Sequence, residues 1–81
     1  MSAAQDIAAE AHLRVIRKFL EGKSDHRPNN RELAYWVQFA YQKEAYAEAV
    51  ALYTHVDESQ LEAEYLKTLR RVVSICRMKV G

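Results

Sequence analysis

The sequence predicts an all-α domain of four helices, the middle two folded back on each other as a hairpin. Three observations carry this. Apolar residues recur at three- and four-residue spacing in four separate stretches, the signature of amphipathic helices. Two glycines and one proline in 81 residues are too few turn-formers for a many-stranded β fold. Hydrophobic residues make up 49% and charged residues 28%, a folding composition that excludes an intrinsically disordered chain. At this length residues 1–81 form one helical domain, and a multidomain enzyme is excluded.

The first helix is expected from about Ala3 to Glu21, with Gly22 as the glycine that closes it. Ile7, Ala8, Ala11, Val15, Ile16 and Phe19 share one apolar face. Lys23 to Asn30 gathers Ser, Asp, Pro and Asn residues and reads as a loop. Asn29 or Asn30 caps a second helix, about Arg31 to Lys43, with Glu32 in its first turn complementing the helix dipole. Leu33, Tyr35, Trp36, Val37, Phe39, Ala40 and Tyr41 cover roughly 240° of this helix's circumference. Gln38 and Gln42 hold most of the remainder. A helix apolar on so many sides is either sandwiched between neighbours or awaiting a partner.

The third helix, Tyr46 to Val56, turns Ala49, Val50, Tyr53 and Val56 to one side. Asp57 with Gln60, or Ser59 with Glu62, has capping-box spacing. A fourth helix is expected from Gln60 to Lys79, with Leu61, Leu66, Leu69, Val72, Val73, Cys76 and Val80 inward. Acidic residues lead it and basic ones end it, as the macrodipole favours.

Net charge is only +1, but the signs are segregated. Residues 1–31 carry six basic and four acidic side chains, residues 32–64 one basic and seven acidic, and residues 65–81 five basic and no acidic. The near-neutral total conceals an acidic middle and a basic tail.

Residues 31–56 resemble a tetratricopeptide-repeat helical hairpin in one degenerate copy. Trp36 stands at the family's large apolar position, Tyr41 at the aromatic late in its first helix, and Tyr46 at the turn aromatic. Ala49 matches the small residue at the helix crossing and Tyr53 the aromatic one turn later. Tyr46-Ala47-Glu48-Ala49-Val50 is the most family-like segment. Val37 departs where the family has a small residue, Glu44 where it has the turn glycine, and Val56 where it has a final alanine. The resemblance implies a scaffold that binds a peptide or helix in a concave face. That face maps to Arg31, Ala34, Gln38, Tyr41 and Gln42.

Chemistry is sparse. His12, His26 and His55 show no i, i+3 or i, i+4 pairing, so no metal site is expected. Cys76 excludes an internal disulfide by being alone, and it lies in phase with Leu69, Val73 and Val80, which reads as core. No phosphate-binding glycine loop is present, and neither catalysis nor a cofactor is expected. Met1 to Asp6 lacks a secretory n-region and h-region, and the longest charge-free run, Leu33 to Gln42, is far short of a membrane span. A cytoplasmic, non-membrane protein is the expectation.

The leading functional expectation is a non-catalytic interaction module, an adaptor, chaperone or assembly factor. It would bind a partner helix or peptide, or a second copy as a homodimer, through Arg31, Tyr35, Gln38, Phe39, Tyr41 and Gln42. The alternative is a small nucleic-acid-associated regulator. It would use Arg14, Arg17 and Lys18 on the first helix with Lys67, Arg70 and Arg71 on the last, if those helices lie side by side. An inhibitor or immunity protein of one protein target is a further alternative.

Overall fold

The computed structural model describes residues 3–81, so the reading of Met1 and Ser2 as part of a leaderless terminus lies outside the described residues. The chain forms α1 (Ala3–Leu20), α2 (Asn30–Gln42), α3 (Tyr46–Tyr53) and α4 (Ala63–Val80), with a 3-10 turn at Glu58–Gln60 before α4. The domain is all-α, and no strand occurs among the described residues. Helix α2 packs on α3 and α4, α3 on α4, and α1 on α3.

Each helix end has a local cause. Helix α1 closes in a Schellman motif: the Lys23 N–H reaches the Lys18 carbonyl at 2.9 Å and Gly22 reaches Phe19 at 3.0 Å. Gly22 takes φ 75 there, a conformation glycine adopts without a Cβ penalty. Helix α2 starts where the Asn29 carboxamide oxygen accepts the Glu32 N–H at 2.8 Å. It ends in the same motif as α1, with Ala45 N–H on the Ala40 carbonyl at 2.8 Å and Glu44 on Tyr41 at 3.0 Å. Glu44 therefore sits at φ 62, the one described non-glycine residue with positive φ.

The last two helices differ from expectation. Helix α3 stops at Tyr53, three residues before Val56. The Thr54 hydroxyl donates to the Ala51 carbonyl at 2.7 Å, and the chain turns towards α2. There Asn30 holds Asp57 at two points: its carboxamide donates to the Asp57 carbonyl at 3.0 Å and accepts the Asp57 N–H at 2.6 Å. The Asp57 carboxylate caps the 3-10 turn, accepting from the Ser59 N–H at 3.1 Å and hydroxyl at 2.7 Å. Leu61 is extended (φ -101, ψ 145) and packs against the core from this connection. The fourth helix consequently begins at Ala63, not Gln60.

The core is Ile16 from α1, Leu33, Ala34, Trp36, Val37 and Ala40 from α2, Ala49 and Leu52 from α3, and Leu69, Val73 and Cys76 from α4. Helix α2 packs on α3 and α4 and takes the His12 and Phe19 rings of α1 against Trp36, which accounts for its wide apolar circumference. Trp36, 3% exposed, has the Phe19 ring at 5.6 Å, His26 at 5.9 Å and His12 at 6.1 Å. Helix α1 is rotated from the expected face. His12, Leu13, Ile16, Phe19 and Leu20 turn inward, whereas Ile7, Ala8, Ala11 and Val15 are exposed. The rotation exchanges Ile7, Ala8, Ala11 and Val15 for His12, Leu13 and Leu20, of which the leucines pack against the core and His12 meets the Trp36 ring. Val80, placed inward by the periodicity of α4, is 54% exposed at the helix end.

Candidate functional site

Five of the six residues nominated for partner binding lie on one stripe of α2. Arg31, Tyr35, Gln38, Phe39 and Gln42 recur at helical spacing on the side turned away from α3. Arg31 and Gln42 are exposed, and Gln38 and Phe39 are half-buried. Tyr35 is 56% exposed. The stripe is braced from beneath. His12 of α1 lies 4.2 Å from the Phe39 ring and 6.2 Å, stacked, from Tyr35. Lys43 Nζ stands 5.9 Å over the Phe39 ring, a cation–π contact that holds the ring at the surface. Phe39 is thus part wall of the core and part surface.

Tyr41 is the exception. Its ring faces Tyr46 at 6.3 Å across the α2–α3 turn, about a quarter turn of helix away from the others. The hairpin connection claims it. Burial first, then the Glu44 charge and the Tyr41 phenol, pushes the Tyr46 hydroxyl above its ordinary value of 10.0.

Arg31 also borders a cleft of about 430 Å³ between the start of α2 and the start of α4. Ala34 and Leu61 supply apolar lining, Tyr65 a half-exposed ring, and Asn30 and Glu62 polar edges. The stripe therefore runs from Gln42, past Phe39 and Tyr35, into a depression with one cation and one carboxylate at its rim. No local signal in the sequence singles out Tyr65, because its place at the cleft depends on how the start of α4 sits against the start of α2.

The six nominated cations do not converge. Arg17 Nη2 is 3.4 Å from Glu48 Oε2 on α3. Arg70 Nε meets Glu58 Oε2 at 2.7 Å, and the Tyr53 hydroxyl donates to the same carboxylate oxygen at 2.6 Å. Arg14, Lys18, Lys67 and Arg71 are exposed. Helix α1 packs on α3, and α4 packs on α3 and α2, so the side-by-side pairing of α1 and α4 that a joint phosphate stripe requires is not among the close helix packings. The Tyr53 bond, followed by Arg70, holds Glu58 below its ordinary value of 4.5.

Cys76 is fully buried and burial pushes its thiol above the ordinary 9.0, the opposite of what a nucleophilic cysteine needs. Among the described residues no group of three or more His, Cys, Asp or Glu side chains is arranged to hold a metal ion. None of the described helices is long and apolar enough to cross a membrane. Comparison with protein-family models, with curated proteins and with solved structures gives no match.

Proposed function

We propose that this protein is a non-catalytic protein-interaction module, of the adaptor, chaperone or assembly-factor kind, working in the cytoplasm. A partner helix or extended peptide lies along the α2 stripe, with one end of it entering the cleft beside Tyr65. The single observation that carries the reading is the α2 stripe itself. A helix sandwiched on its other sides leaves Tyr35 more than half exposed, braced by His12 and flanked by Arg31, Gln38 and Gln42. An exposed, pre-positioned tyrosine among polar side chains is the composition of an interface anchor, because its area is gained at little conformational cost. Gln38 and Gln42 offer both donors and acceptors to a partner backbone. The resemblance of residues 31–56 to a tetratricopeptide hairpin supports the same face, since that family binds peptides along its first helix.

The test is a tagged capture from native lysate, with and without nuclease, comparing the wild-type chain with Tyr35→Asp and Gln38→Ala. A stoichiometric protein that survives nuclease and is lost with Tyr35→Asp, at unchanged helicity, supports the proposal. Capture that disappears with nuclease moves the function to the exposed cations. Capture indifferent to Tyr35 removes the α2 stripe from consideration.

A further inference from the structure

Helix α1 buries one face and leaves the opposite one bare. Ile7 is 68% exposed and Val15 44%, with Ala8 and Ala11 exposed between them. These four fall at the three- and four-residue spacing of a helix-contact stripe. They occupy a helix of 18 residues whose other face already contacts the core. Glu10 and Arg14 border the stripe on one edge, a single turn apart. Neither belongs to an ion pair among the described residues. Beyond Arg14, Arg17 lies on the same edge and Lys18 closes the stripe in line with Ala11, both positive.

We propose that this stripe is the interface with a second copy of the chain, α1 lying antiparallel on α1 about a two-fold axis. The charge order selects that occupant. In an antiparallel pair related by a two-fold, the same edges of the two helices meet. Glu10 of each copy then faces Arg14 of the other, twice over. A parallel two-fold pairing brings opposite edges together instead, and the match of Glu10 with Arg14 is lost. A foreign helix fits only if it carries an apolar stripe with the opposite charge order, and α1 turned end for end is such a helix. Opposed macrodipoles add to the preference. In this register Val15 falls beside Ala8 and Ala11 of the second copy, whose small side chains let the helices approach closely. The interface is on α1 and independent of the α2 stripe.

Sedimentation equilibrium on the full chain, over a range of concentrations, tests it. The wild type is expected to be a dimer. Ala11→Arg, which places a charge at the centre of an exposed stripe, is expected to be a monomer with unchanged circular dichroism. Glu10→Arg and Arg14→Glu each replace two attractions by two repulsions and are expected to weaken dimerisation by about tenfold. The double variant Glu10→Arg/Arg14→Glu is expected to restore the wild-type constant. A wild-type monomer at concentrations up to about 1 mM overturns the proposal, even if α1 variants lose capture of some other protein. A double variant no tighter than the singles overturns it as well.

Discussion

Helices α1 and α2 end in the same hydrogen-bonding motif, one with glycine at the left-handed position and one with glutamate. Gly22 (φ 75) and Glu44 (φ 62) are therefore a matched pair. A left-handed backbone costs an L-residue about 1–2 kcal/mol. Glycine avoids that cost but gives back about 0.5–1 kcal/mol through the freedom of its unfolded chain. The net expectation for Glu44→Gly is a gain of about 0.5–1 kcal/mol, with both hydrogen bonds of the turn retained. For a domain of this size that is a rise in Tm of about 3–6 °C. Glu44→Ala removes the same side-chain charge but keeps the left-handed strain, so it separates backbone from electrostatics. It is expected to change stability little. Gly22→Ala runs the experiment in reverse, and a Cβ built there meets no atom within 4 Å, so its loss of about 0.5–1 kcal/mol is purely conformational. Thermal and urea unfolding followed by circular dichroism measure all three. Glu44→Ala matching Glu44→Gly, or a Glu44→Gly that destabilises, refutes the reasoning.

Leu52→Ala opens the fully buried centre of α3 and is expected to cost about 2–5 kcal/mol in urea unfolding, enough to leave much of the chain unfolded. Asn30→Ala cuts both bonds that tie the α3–α4 connection to α2. Its expected cost is about 1–2 kcal/mol, with faster amide exchange at Asp57 as the local readout. Glu58 and Asp57 have folded values below their ordinary 4.5 and 3.8, Glu58 through Tyr53 and Arg70, Asp57 through Ser59. Their contribution is present at neutral pH and is lost as pH falls from the ordinary values down through the folded ones. Glu58→Gln should flatten that acid limb, and an unchanged limb counts against the network. Tyr53 moves the other way: burial and then the Glu58 bond raise it above 10.0, so stability should fall as pH rises past 10. Cys76 should react with a thiol reagent only on opening of the core, at a rate that tracks urea concentration.

Helix periodicity and capping chemistry were legible because both act over a few residues. The Asn29 cap, the Gly22 stop and the burial of Cys76 follow from neighbours within one or two turns. The connection between α3 and α4 was not legible. Asp57 with Gln60 has the spacing of a capping box, but Asp57 is held by Asn30, 27 residues away, and a contact of that range leaves no local signal. Among candidate site residues, Tyr35 and Phe39 share the same apolar character in the sequence. Packing separates them: Phe39 lies against the core with His12 at 4.2 Å and Lys43 over its ring, while Tyr35 stays 56% exposed.

The sequence by itself determined the number of helices, their apolar faces in broad outline, and the polar strip of α2. These follow from period and composition, which no tertiary contact is needed to read. Tertiary structure alone decided the rotation of α1, which sets Leu13, Phe19 and Leu20 against the core and His12 and Phe19 beside Trp36, and leaves Ile7 and Val15 in solvent. It also decided that α1 and α4 contact α3 rather than each other closely, which separates two basic segments that sequence places on equal terms. Packing compares faces from different helices for the same buried area, and that comparison exists only once the helices meet.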